Sequence, residues 1–109
     1  MNRPAFNATR DVIIQVEDMG RALKFYGETL GLKVSKEYGH CTGFEAGGVQ
    51  LFVEQGKRPG PVFEFLVPDL QAAKQKLLAA GCQLVEEDPE LPRLYLRDPY
   101  GLTFNLSQR

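Results

Sequence analysis

The sequence contains no tryptophan, one histidine and two cysteines, and no apolar run longer than four residues. Without a second histidine, His40 has no partner to fix a metal-binding or catalytic role. Its Gly-rich surroundings read as an exposed turn. Cys41 and Cys82 show neither metal-type nor redox-type spacing, so they read as free thiols of a cytoplasmic protein. The longest apolar run, Leu77–Ala80, is too short for a membrane span or an export signal. Excess charge of one sign is also missing: 13 Lys and Arg are interspersed with 14 Asp and Glu, for a net charge of −1. That leaves no basic stripe for nucleic acid and no basic amphipathic segment for a membrane surface. What is present is a 43% hydrophobic content, enough for a core, in a length of 109 residues that suits one domain.

The chain reads as two half-length copies of one pattern. Val12, Ile14 and Val16 alternate with Asp11, Ile13 and Gln15 up to Asp18; Phe63, Phe65 and Val67 alternate with Val62, Glu64 and Leu66 up to Asp69. Both are strands with one apolar face, and each Asp is placed to cap a helix. Met19, Ala22, Leu23, Tyr26 and Leu30 then recur at helical spacing and close on Gly31. Leu70, Ala73, Leu77 and Ala80 do the same and close on Gly81. Three short strands follow in each half, near 33–37, 42–46 and 49–54, and near 83–87, 93–97 and 102–107. Asp98-Pro99-Tyr100-Gly101 has the residue order of a type I turn, and Glu45-Ala46-Gly47-Gly48 is its looser counterpart. The segment 55–61, with two Gly and two Pro, links module one (about 10–54) to module two (62–107). The fold class expected is α+β, two βαβββ modules.

This order resembles the vicinal oxygen chelate superfamily, which includes glyoxalase I, extradiol dioxygenases and the bleomycin and fosfomycin resistance proteins. The resemblance rests on Val12-Ile13-Ile14-Gln15-Val16-Glu17-Asp18, on Ala22-Leu23-Lys24-Phe25-Tyr26 with Leu30-Gly31-Leu32, on Leu66-Val67-Pro68-Asp69-Leu70 and on Arg97-Asp98-Pro99-Tyr100-Gly101. It implies an eight-stranded, U-shaped mixed sheet with helices on the outside, a small-molecule cleft inside it, and a homodimer. The faces of Val12/Ile14/Val16, Val49/Leu51/Val53, Phe63/Phe65/Val67 and Leu102/Phe104/Leu106 would then pack under the helices.

In metal-using members one ligand precedes each capping Asp by seven residues and another follows each turn Gly by four. Carried onto this sequence, the resemblance places those positions at Asp11, Phe52, Val62 and Asn105. A catalytic divalent ion needs at least three N or O donors. Phe52 and Val62 supply none, so no metal and no cofactor is expected. A displaced site using Asp11, Glu64 and Glu54 is the alternative, although Glu54 and Glu64 stand about 7 Å along their strands from the empty positions.

By strand parity the opposite faces carry Asp11, Ile13, Phe52, Val62, Glu64, Arg93, Tyr95 and Asn105, with Cys41, Gly43 and Glu45 beside them. Phe52 and Tyr95 are candidate stacking surfaces, and the excess of carboxylates favours a cationic guest. Asp11 and Glu64 need a partner there, with Arg93 or Tyr95 as candidates, whereas Glu54 and Ser107 read as strand-end residues near solvent. The expected function is metal-free binding of a small, partly apolar or aromatic molecule. The alternative is a lyase or dioxygenase-type enzyme using a displaced metal or an acid–base pair such as Asp11 with Tyr95. A third reading is a module whose cleft is vestigial. Lack of tryptophan, often the stacking platform in drug-binding relatives, argues against bleomycin itself as the ligand.

Overall fold

Asp18 and Asp69 each end a strand with an extended backbone, and each accepts a hydrogen bond from the first turn of the following helix. Asp18 Oδ1 takes the Arg21 N–H at 3.0 Å and Asp69 Oδ1 takes the Ala72 N–H at 3.1 Å. In this computed structural model, which describes residues 6–90 and 93–108, the two caps start the helices of two equivalent units. The first unit is Arg10–Pro61; the second runs from Val62 onward and takes in the residues before Arg10.

The strands are β1 (Asn7–Val16), β2 (Lys33–Glu37), β3 (Cys41–Glu45), β4 (Gln50–Gln55), β5 (Val62–Val67), β6 (Gln83–Asp88), β7 (Arg93–Arg97) and β8 (Thr103–Gln108). The helices are α1 (Met19–Lys24) and α2 (Leu70–Ala79). These eight strands form a mixed open sheet with two helices, an α+β fold. In the first unit the strand order is β2-β3-β4-β1. In the second it is β5-β8-β7-β6, and β1, whose opening residues belong to that unit, neighbours β5. Each unit has one parallel pair, β1 with β4 or β5 with β8, and two antiparallel pairs. Even the irregularities repeat. β2 slips register between Val34 and Lys36, and β6 slips between Leu84 and Glu86, so each outer strand carries one extra residue in its ladder.

The second unit's core contains Val67, Ala73, Cys82, Leu94, Leu96, Phe104 and Leu106, with Phe65, Leu70, Leu77 and Leu102 packed against it. Parity explains it: Phe65, Val67, Phe104 and Leu106 share the face on which α2 lies. Phe65 and Phe104 meet edge to face at 5.3 Å. Phe63 departs from the expectation. It lies early in β5, while Phe65 and Val67 meet the helix residues, so its side chain remains 39% exposed. Val49 falls outside β4 and is exposed for a similar reason.

In the first unit Phe44 and Val53 are buried. The expected helix from Met19 to Leu30 is α1 followed by a π-helical turn, Phe25–Thr29, in which the Leu30 N–H reaches back to the Phe25 carbonyl at 2.9 Å. The Tyr26 ring of this turn lies 5.9 Å from the Phe44 ring. Gly31 then takes φ 71°, the left-handed conformation that closes the helix. Among the described residues no helix is long and apolar enough to cross a membrane.

Candidate functional site

Strand register sets which side chains share a face. In the second unit Glu64 pairs with Asn105, Asn105 with Tyr95, and Tyr95 with Glu86, forming one row across four strands. Hydrogen bonds tie much of the row together. Thr9 Oγ1 donates to Glu64 Oε1 at 3.1 Å, Ser107 Oγ donates to Glu64 Oε2 at 3.0 Å, and Asn105 Nδ2 lies 3.3 Å from both Glu64 Oε2 and Ser107 Oγ. Asn105 Oδ1 accepts the Leu94 backbone N–H at 3.0 Å. Both Glu64 oxygens are thus solvated by neutral donors, as a half-buried carboxylate requires.

The expectation that Arg93 or Tyr95 partners Glu64 is replaced by this hydroxyl–amide set. Arg93 instead reaches Glu86 at 3.1 Å and lies over the Tyr95 ring, its guanidinium carbon 4.9 Å from the centroid. Tyr95 and Val62 are 1% and 2% exposed, so each forms buried floor rather than open lining. A cavity of about 300 Å³ at the start of α2 touches Arg93 and Ser107 but belongs mostly to the helix-covered face, with Leu70, Gln71, Glu87, Leu94 and Leu106 in its lining.

On the first unit's equivalent face Ile13, Phe52 and Gly43 form a row, flanked by Asp11 with Gln50 and by Gln15 with Glu54. Gly43 is there for a steric reason. A Cβ on it would stand 2.9 Å from a Phe52 ring carbon. The other stacking candidate, Phe52, already has the Tyr38 ring against it at 6.4 Å and 23°. The solvent-near placement of Glu54 is overturned: it is 7% exposed, and Gln15 Nε2 donates to it at 2.7 Å while Gln15 Oε1 accepts the Arg58 N–H at 2.9 Å. His40 is exposed and Cys41 is buried.

Sequence reasoning missed Tyr38 and Thr9. Tyr38 lies just after β2, outside any alternating pattern. The Asn7–Arg10 segment that carries Thr9 lacks the alternation by which β1 was recognised.

A family model described as a glyoxalase-like domain matches residues 11–107. The chain belongs to the glyoxalase-like family. This is the vicinal oxygen chelate assignment that the repeated motifs implied. Solved structures similar to the glyoxalase-like chain agree on the fold. A glyoxalase/bleomycin resistance protein/dioxygenase superfamily member from Vibrio splendidus 12B01 is 17% identical, with a TM-score of 0.69 over 95% of this chain and 99% of its own. A hypothetical protein from Bacillus halodurans C-125 is 13% identical, with a TM-score of 0.65 over 97% and 96%. Homoprotocatechuate 2,3-dioxygenase from Brevibacterium fuscum, in complex with 3,4-dihydroxyphenylacetate, is 20% identical with a TM-score of 0.64 over 97% of this chain but 38% of the dioxygenase. At such identities the likeness concerns fold alone. A search of curated proteins found no match.

Catalytic metals in this superfamily draw on four strand positions, and this chain's residues there do not fit one. Phe52 and Val62 have no donor atom, and the Asn105 oxygen is engaged by the Leu94 N–H. Asp11 is the remaining position. Among the described residues no group of three or more His, Cys, Asp and Glu is placed to hold a metal ion.

Proposed function

We propose that this glyoxalase-like chain binds a small, partly apolar or aromatic molecule without a metal, rather than turning one over by metal-centred chemistry. The observation that carries this reading is the engagement of Asn105. At a position where metal-using relatives supply a ligand, the side-chain oxygen is spent on a backbone N–H and the amide on Glu64.

The binding set we assign is Asp11, Ile13 and Phe52 in the first unit and, in the second, Glu64, Arg93 and Asn105 over a floor of Val62 and Tyr95. Its chemistry favours a cationic, planar guest. Phe52 already accepts a ring and Tyr95 already accepts a guanidinium, so a guest that offers either group can take the place of Tyr38 or Arg93 at comparable cost. A homodimer and a cytoplasmic setting belong to the same proposal.

Thermal unfolding against a panel of planar aromatic amines and their uncharged isosteres tests the reading. A cationic aromatic should raise the Tm in a concentration-dependent way, by mass action on the folded state. The increment should shrink in Glu64→Gln and grow in Arg93→Ala, which removes the guanidinium that the guest displaces. If no panel member shifts Tm while added zinc, iron or manganese does, the proposal is wrong.

A further inference from the structure

The opposite face of the second unit's sheet carries a site that the family assignment does not touch. Between α2 and the sheet lies a cavity of about 230 Å³, lined by Phe6, Phe65, Leu77, Cys82, Leu102 and Phe104, with Asp98 as its charged member. Asp98 is already employed, since its Oδ1 accepts the Tyr100 and Leu102 N–H groups at 2.9 Å and so holds the β7–β8 turn. The remaining lining is apolar side chain and one thiol.

We propose that this cavity is a second ligand site, for a single-ring aromatic or similarly sized apolar molecule, with Phe6 as its adjustable wall. Size sets the class. Enclosed apolar cavities of about 150 Å³ hold benzene, and this partly open pocket of about 230 Å³ has room for one ring. Chemistry narrows it further. A charged or strongly hydrated guest would lose its water without finding partners among Leu77, Leu102, Phe65 and Phe104. Phe65 and Phe104, which meet edge to face at 84°, both line it, and aromatic rings add to such pairs favourably.

Phe6 supplies the independent observation that this groove takes aromatic rings. Its side chain lines both the 230 Å³ cavity and a neighbouring one of about 160 Å³ bounded by Val67, Ala72 and Ala73, and Lys76 Nζ lies 6.0 Å from its ring centroid. Phe6 therefore lies between two apolar spaces as a benzyl group of the chain itself. A guest entering beside Phe6 replaces missing van der Waals contacts instead of breaking hydrogen bonds. Because Glu64, Asn105 and Ser107 occupy the other sheet face, this site does not depend on the metal-free reading.

The test is a titration of the full chain with toluene, read by methyl 1H–13C NMR. Saturable shifts should concentrate at Leu77 and Leu102, and toluene should slow alkylation of Cys82. Leu102→Phe, which fills the space, should weaken toluene binding at least tenfold; Cys82→Met fills it from another side should the first variant not fold. Phe6→Ala, by joining the two spaces, should admit naphthalene, which the wild-type chain excludes. Lys36→Ala, on the exposed β2 strand of the first unit, should leave toluene binding unchanged. The proposal is overturned if Leu77 and Leu102 do not shift, or if neither filling variant weakens binding.

Discussion

The side-chain oxygen of Asn105 and the backbone N–H of Leu94 meet at 3.0 Å, and both groups are buried. A side chain on β8 thereby satisfies a main-chain donor of β7, and its amide hydrogen bonds extend toward Glu64 on β5. Removing the oxygen leaves a buried donor without a partner, which costs about 1–3 kcal/mol. Asn105→Ala should therefore lose stability in that range in chemical denaturation, with the slope unchanged. Asn105→Asp should keep the Leu94 bond but place a second carboxylate against Glu64. Its stability deficit should grow as pH rises through the carboxylate range and recover on acidification.

Gly43 and Phe52 are coupled by contact. A methyl group on residue 43 would sit 2.9 Å from a ring carbon that Tyr38 backs from its stacked position. Gly43→Ala should destabilise the chain by about 1–3 kcal/mol, as overpacking does. Combining it with Phe52→Leu should cost less than the sum of the two single changes. Additivity in that double-mutant cycle would contradict the contact.

Leu96 is fully buried within the cluster under α2. Leu96→Ala removes three carbons and leaves a void, so unfolding should become easier by about 2–5 kcal/mol. The exposed Leu84 of β6 should lose well under half of that on the same substitution.

Burial, and then the charge of Asp98, push the Cys82 thiol above its ordinary value of 9.0. The folded state thus holds this proton more tightly than the unfolded chain does. Cys82 accordingly contributes stability that is complete below pH 9.0 and is lost as pH rises through the higher folded-state value. The alkaline decline in Tm of the wild-type chain should be shallower in Cys82→Ala, after allowance for that variant's lower starting stability.

The duplicated element order was legible because its signals are local. Asp18 and Asp69 cap helices through residues three positions away, and Asp98 closes its turn within four. Strand parity also separated Phe65, Val67, Phe104 and Leu106 from Glu64 and Asn105. Pairing over distance was not legible. Thr9 reaches Glu64 across 55 residues, Arg93 chooses Glu86 over Glu64, and Glu54 is buried because Gln15 on a neighbouring strand satisfies it. Parity says which face a side chain takes, not which neighbour arrives first. The π-turn after Lys24 was hidden for another reason: its residues keep an apolar spacing that an ordinary helix would also give.

The central claim, that Asn105 serves the fold rather than an ion, is tested most directly by elemental analysis with native mass spectrometry. The protein would be purified with zinc, iron, manganese and nickel available. The account predicts less than about a tenth of an equivalent of any of them bound, and the same for Asn105→Ala. One tightly held equivalent in the wild-type chain, lost in Asn105→Ala, would contradict it.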